Sequence, residues 1–414
     1  MISFKKSTAV EQAQYLIKTV ADNMIRPYSR HFDESEGEIP WEFVEFMHGA
    51  LKQMSRPPRD SDSEKKKEEK KEKKPSQTYM VLAHQIEMLS WGDVGFYLCM
   101  PGSGLGAAAI EAAGNEDQKK KFLSKLLGEK PVFTAMAITE ADAGSDNSAI
   151  RCRAELDEET NEWVLNGEKI FITSGKLAME DSDGFTVVWA TLDPEAGRAG
   201  IRSFVVPAGI PGAKITKKEH KLGIRTSDTV SMVLDDVRLP YDHLLGDPEI
   251  KKSTEGFKGA MQTFNVTRPL VAASGLGVAR AALEEVKRLL KEQGVEIRYG
   301  LPRSKMTNIE REIVDMERML RSSWLLTLKA IWMSDQRKTN AKESAMSKLH
   351  AGDVGTRICQ KAIEILGPMG YSREFLLEKM LRDAKITDIY EGTGQINRLI
   401  AARAILGYRG KDLR

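Results

Sequence analysis

Glu162-Trp163-Val164-Leu165-Asn166-Gly167-Glu168-Lys169-Ile170-Phe171-Ile172-Thr173-Ser174-Gly175 decides the fold. Two short runs rich in β-branched and aromatic residues are parted by Asn166-Gly167 and closed by Ser174-Gly175, and Asn-Gly between such runs is a strong hairpin signal. Comparable runs cover 185–190, 202–206 and 229–234, with Asp183-Gly184 and Pro211-Gly212 as turn dipeptides between them. The spacing predicts a small antiparallel β-domain over residues 134–245.

Outward from that block the periodicity is helical. Toward the N-terminus, apolar residues recur at helical spacing over 9–24, ended by Arg26-Pro27, then after Ile39-Pro40, over 79–98, over 107–113 and over 116–127. Toward the C-terminus the same pattern covers 270–290, 309–334, 342–366 and 395–406. The expected architecture is multi-domain α+β: an N-terminal helical domain (1–133), the central antiparallel β-domain (134–245) and a C-terminal four-helix-bundle-like domain (246–414), with no internal repeat. Within the first domain, residues 59–75 are rich in Lys and Glu, and mixed charges of this kind predict a solvated loop. Gly102-Ser103-Gly104-Leu105-Gly106 lacks the lysine and hydroxyl residue of a phosphate-binding loop, so close helix packing is its expected use.

A chain of 414 residues can bury ample core. With 62 Lys and Arg against 60 Asp and Glu, the net charge of +2 gives no global reason to expect nucleic acid or an anionic membrane. Cys99, Cys152 and Cys359 lie far apart, which argues against a metal cluster or disulfide framework and for a reducing compartment. No run reaches the length of a spanning helix, and the N-terminus has no signal-type apolar core. The expectation is a cytoplasmic protein.

Three segments carry candidate chemistry. In Arg382-Asp383-Ala384-Lys385-Ile386-Thr387-Asp388-Ile389-Tyr390-Glu391-Gly392-Thr393-Gly394-Gln395, a lone carboxylate stands at a break before a helix. Glu391 is there either a dipole-complementing acid beside a Thr393 cap, or a carboxylate aimed into a cavity. Thr139-Glu140-Ala141-Asp142-Ala143-Gly144-Ser145-Asp146 is a turn whose N–H and hydroxyl groups could meet a phosphate or a heteroaromatic edge, or simply close the turn. Phe171 beside Thr173 offers an aromatic plate with a hydroxyl, or a core side chain.

Together and in this order these segments resemble the acyl-CoA dehydrogenases, flavoproteins that introduce an α,β double bond into acyl-CoA thioesters. Besides the turn at 139–146, the likeness rests on Asn166-Gly167-Glu168-Lys169 leading to Ile172-Thr173-Ser174-Gly175, on Lys221-Leu222-Gly223-Ile224-Arg225-Thr226-Ser227, on Phe264-Asn265-Val266-Thr267-Arg268, and on Tyr390-Glu391-Gly392-Thr393-Gly394-Gln395. The resemblance implies Glu391 as catalytic base. It implies FAD held by Met136, Ile138, Thr139, Gly144, Ser145, Phe171, Ile172, Thr173, Thr393 and Gln395, and an acyl-CoA substrate near Ser145, Asn265, Arg268 and Gly392. It also implies a backbone N–H of the base as oxyanion donor, electron-transfer flavoprotein as acceptor, and a tetramer. Asn265 stands where the medium-chain type has an acidic residue, and Arg268 either contacts substrate or braces the helices around it. Arg382 and Lys385 are expected in structural ion pairs.

The departures from the family pattern fall on the half of the flavin site that a neighbouring subunit donates. Glu296 replaces an arginine expected against the pyrophosphate, Met306-Thr307 replaces a His-Gln pair, and Glu364 and Pro368 replace a Gln and a Gly. That one-sided loss resembles α2β2 members in which one subunit brings the base and a paralogue completes the flavin site; Arg298 and Arg303 are the candidates for substituting the missing arginine. Two other readings have the chain as a redox-silent scaffold whose Lys-rich tract touches nucleic acid, or as an acyl-CoA oxidase.

Overall fold

The computed structural model describes residues 6–54, 76–102, 104–250 and 255–408; the Lys/Glu-rich segment expected at 59–75 lies outside them. The chain opens with α1 (Thr8–Val20), which runs through a π-helical turn (Ala21–Ile25) and a 3-10 turn (Arg26–Tyr28) into α2 (Ser29–Glu34). Arg26-Pro27 therefore tightens the helix without ending it, because Pro27 falls at the start of a new turn, where its missing N–H is not needed. Then come α3 (Trp41–Met54), α4 (Thr78–Leu98), α5 (Leu105–Ala113) and α6 (Glu116–Leu123). Helix α4 breaks at Asp93, whose backbone is extended and whose carboxylate accepts from Gly95 N at 2.7 Å, capping the second half. Gly104 and Gly106 serve close packing, as expected. A Cβ on Gly104 would lie 2.0 Å from Thr134 O, and one on Gly106 2.5 Å from Ala135 O.

The central sheet holds β1 (Thr134–Ala137), β2 (Arg153–Asp157), β3 (Glu162–Thr173), β4 (Phe185–Thr191), β5 (Ile201–Pro207), β6 (Ala213–Lys218), β7 (Thr229–Pro240) and β8 (Leu244–Leu245), with the one-turn α7 (Gly175–Met179) after β3. The strands run in the order β6-β7-β3-β2-β4-β5-β8, and β1 joins at β4. Most pairings are antiparallel as predicted, but β1 lies parallel to β4, and β2 touches β4 in parallel. The Asn166-Gly167 hairpin does not form. Strand β3 runs straight through it, and the pairing with β7 slips between Leu165 and Gly167. Asn166 Oδ1 accepts from Asp236 N at 2.8 Å, and Gly167 at φ 149° passes so near β2 that a Cβ would meet Cys152 Cα at 2.7 Å. The dipeptide is thus a bulge with a close backbone approach.

Beyond the sheet stand α8 (Glu255–Glu292), α9 (Asn308–Asp335), α10 (Ala341–Leu366), α11 (Pro368–Tyr371), α12 (Leu377–Lys385) and α13 (Gly394–Leu406). Helix α12 was hidden in the sequence by its many charges. Two large cores result. Ile25, Phe43, Val44 and Phe96 pack on the sheet side chains Ala137, Leu165 and Phe204, while Leu276, Ile313, Met316 and Ile358 fill the C-terminal bundle. The three cysteines are buried and free. No helix among the described residues is long and apolar enough to cross a membrane.

Candidate active site

The 139–146 turn is clamped to β3 by buried charge. Glu140 accepts from Arg151 N at 2.6 Å and Cys152 N at 3.0 Å, and its Oε1 meets Lys169 Nζ at 2.6 Å. Lys169, fully buried, also donates to Ile138 O at 3.2 Å, and Ile170 N donates to Thr139 O at 2.9 Å. The turn and the Phe171 segment are thereby brought side by side. Gly144 and Ser145 are exposed, and the space where a Gly144 Cβ would sit holds nothing nearer than Thr139 Cγ2 at 4.0 Å. Phe171 is not a core residue. The residue is 62% exposed, and its backbone sits at φ 57°, a conformation that costs a bulky residue about 1 kcal/mol. Ile172 is buried in the sheet core, backbone and side chain alike, and offers no open surface to a ligand, while Thr173 is half-buried. An open aromatic plate beside an open glycine turn and exposed hydroxyls is a donor set that fits a flat heteroaromatic group carrying phosphates.

Contacts lead from this turn to Glu391. Met136 and Ile138 pack against the cluster that contains Phe264. The Arg268 guanidinium lies over the Phe264 ring, 5.4 Å from its centre, and Arg268 Nε reaches Glu391 O at 3.4 Å. Pro269 explains how this part of α8 is placed. It has no N–H for the carbonyl of Asn265 four residues earlier. That carbonyl turns to Ser344 Oγ at 2.6 Å and Asn340 Nδ2 at 3.4 Å, which ties α8 to the start of α10.

Glu391 itself occupies a left-handed backbone conformation at φ 54°, followed by Gly392 at φ 94°. Its Oε2 accepts from the Thr267 hydroxyl at 2.5 Å. Burial pushes its carboxyl above the usual carboxylate range, against the opposing pull of the Thr267 hydrogen bond, Arg268 and Lys348. The residue keeps some solvent contact, and desolvation still dominates. Two phenols stand close by. Burial with the neighbouring Glu391 charge pushes Tyr390 up to about 12 and Tyr97 above its ordinary range.

Thr393 is the N-cap of α13, its hydroxyl accepting from Ile396 N at 3.2 Å. The cap expected at this break is therefore real, and it coexists with an inward-facing Glu391. Gln395 is exposed in the first turn of α13, and no hydrogen bond among the described residues joins Thr393 or Gln395 to the 139–146 turn or to Phe171. Arg382 pairs with Asp33 at 2.5 Å and Lys385 with Asp388 at 3.0 Å, the structural ion pairs expected of them. Sequence reasoning passed over Lys348, Asn397, Lys169 and the carboxylate of Glu140. Lysines at core positions of an apolar helix stripe and of a buried strand were the available signal.

Residues 135–237 match the model of the acyl-CoA dehydrogenase middle domain, and residues 254–406 that of the acyl-CoA dehydrogenase C-terminal domain. A short-chain specific acyl-CoA dehydrogenase of Clostridium acetobutylicum is 32% identical over 405 residues, covering 98% of this chain and 100% of the relative. The chain belongs to the acyl-CoA dehydrogenase family. The mitochondrial short-chain specific acyl-CoA dehydrogenase of Mus musculus is 40% identical over 294 residues, 71% of this chain and 67% of that protein. Among solved structures, butyryl-CoA dehydrogenase from Megasphaera elsdenii superposes with a TM-score of 0.81 at 29% identity, covering 98% of this chain and 100% of that one. As a member of this family the chain is a flavin-dependent oxidoreductase acting on CH–CH bonds.

Proposed function

We propose that this chain desaturates an acyl-CoA thioester between its α and β carbons, with Glu391 as the base. The observation that carries this reading is the Glu391 carboxylate, held by Thr267 on a left-handed turn in a desolvating pocket. FAD fits the open 139–146 turn, the Phe171 plate and Thr173, and when bound it supplies the acceptor for the β-hydride. The protein's own residues do the rest. Thr267 fixes one carboxylate oxygen of Glu391 and leaves the other for the α-proton, which the thioester carbonyl acidifies. Burial raises the proton affinity of Glu391 toward the strength this task requires. The backbone N–H of Glu391 donates to no group among the described residues, so it is free to meet the enolate-like oxygen that forms on the carbonyl. Electrons then pass to an electron-transfer flavoprotein, and three free, buried cysteines suit a reducing cytoplasm.

The test is anaerobic mixing with acyl-CoAs from butyryl-CoA upward while the flavin absorbance is followed. Glu391→Gln should keep its flavin and lose reduction by at least a thousandfold. Wild-type bleaching in that variant would refute Glu391 as base, and rapid oxidation of the reduced enzyme by O2 would mark an oxidase.

A heteromeric α2β2 assembly is favoured by the state of the substituted half-site. Arg298 is engaged with the buried carboxylate of Glu310 at 2.7 and 2.9 Å, and Glu310 also closes the capping box of α9 with Thr307. Arg303 pairs with Asp315 at 2.6 Å, and Glu364 with Lys361 at 2.8 Å. Neither arginine is spare for a neighbour's pyrophosphate, and Glu296 is an exposed carboxylate where the cation belongs. The chain purified alone should bind flavin weakly and gain it on mixing with a paralogous partner. A homotetramer with one tight flavin per chain would overturn this assembly.

A further inference from the structure

The Glu391-Gly392 turn is held from outside its own segment. Lys348 sits two turns into α10, fully buried, and its ammonium donates to Gly392 O from 44 residues away. Asn397 Nδ2 donates to the same oxygen at 2.8 Å and to Thr393 O at 3.0 Å. A buried ammonium is costly without compensating partners, and an apolar side chain would fill this place on the helix at no such cost. The charged groups facing Lys348 are Glu391 on the turn, Asp388 just before it and Arg268 on α8. Glu391 in turn faces Arg268 and the Thr267 hydroxyl, with the phenols of Tyr390 and Tyr97 beyond. Asp388 is already paired with Lys385 at 3.0 Å, so Glu391 is the anion that faces both Lys348 and Arg268, and their positive charge opposes its protonation.

We propose that Lys348 is a positioning residue for the base: its hydrogen bond to Gly392 O locks the turn that aims Glu391, and its charge sets how tightly Glu391 holds a proton. This rests on Glu391 being the base. Burial brings the Lys348 ammonium down to about 8, so it still carries its charge at neutral pH.

The experiment compares Lys348→Met, Lys348→Arg and Glu391→Gln in the flavin-loaded protein, in complex with its partner if one is needed. An infrared pH titration follows the C=O band of protonated Glu391, assigned by its loss in Glu391→Gln, with no substrate present. Its midpoint should move up by about one pH unit in Lys348→Met, the low end of what losing a nearby opposite charge does. It should stay within a few tenths of a unit of wild type in Lys348→Arg. The acid limb of flavin reduction by butyryl-CoA should move by the same amount. An unmoved midpoint in a Lys348→Met protein that keeps its flavin and its circular dichroism spectrum overturns the proposal, as does an equal shift in Lys348→Arg. Failure of the base reading is separate, since it would appear as flavin reduction surviving in Glu391→Gln.

Discussion

Replacing Lys169 by Met should loosen the 139–146 turn, the proposed flavin site, and leave the rest of the sheet in place. Lys169 is wholly buried and Glu140 nearly so, and their contact is 2.6 Å. Truncating one partner of a buried ion pair costs about 3–5 kcal/mol, because the other charge is left uncompensated. Glu140 keeps two backbone donors, Arg151 N and Cys152 N, which places the cost near the lower bound, about 3 kcal/mol. A chain of several domains does not unfold in one step, so a single melting temperature is the wrong measure. Amide hydrogen exchange is the right one. Local opening should increase roughly 150-fold at Ile170, Arg151 and Cys152, whose N–H groups are bonded to Thr139 and Glu140. Amides in the β4–β5 ladder should be unchanged. Flavin affinity should fall with the turn's protection. Adding Glu140→Gln should restore part of both, because it removes the stranded charge and retains a carbonyl acceptor. Protection at those three amides within threefold of wild type would refute the clamp.

Gly104→Ala should destabilise the contact between α5 and β1 by about 1–3 kcal/mol, since its methyl would overlap the Thr134 carbonyl at 2.0 Å; a lower thermal onset checks it, and an unchanged one would show that the two elements can move apart. Asp228 is buried and accepts from Lys176 N at 2.8 Å, and burial pushes its carboxyl up to about 6. The folded protein thus binds this proton more tightly than the unfolded chain, so stability falls as pH rises from about 4 to 6 and stays lowered above that. Asp228→Asn keeps the acceptor without the charge, and amide hydrogen exchange along β7 should find that region more stable than wild type by up to about 3 kcal/mol at pH 7 and nearly equal to it at pH 4. A gain of the same size at both pH values would mean that the carboxylate is not the cause.

The helix–sheet–helix order was legible because it is written in short-range periodicity, from the 3.6-residue spacing at 309–334 to the β-rich run at 229–234. What misled was local chemistry overridden by neighbours. Asn166-Gly167 has the composition of a turn, yet β2 and β7 supply partners on both sides of it, and the strand gains more from continuing than from reversing. Strand β6 escaped notice because five of its six residues are Lys, Thr or Ala, typical of an edge strand that discourages pairing with another chain.

The candidate site was legible to the same depth and no further. Glu391 stood out as a carboxylate beside Gly392, a purely local signal, and so did the glycine and hydroxyls of the 139–146 turn. The groups that give Glu391 its character lie on other elements: Thr267 and Arg268 on α8, Lys348 on α10 and Asn397 on α13. Only folding brings them together, and only folding supplies the desolvation that raises the carboxyl. Pro269 shows how one residue can write part of that tertiary placement into the sequence. By denying Asn265 O its helical donor it obliges α8 to find one elsewhere, and the nearest are Ser344 and Asn340 at the start of the helix that carries Lys348. A Pro269→Ala variant would return that carbonyl to its own helix. The link from α8 to α10 would then weaken, and both Arg268 and Lys348 would lose part of the geometry that fixes Glu391. Flavin reduction should slow in that variant by about tenfold while flavin stays bound, and a rate equal to wild type would show that α8 is held by its other contacts alone.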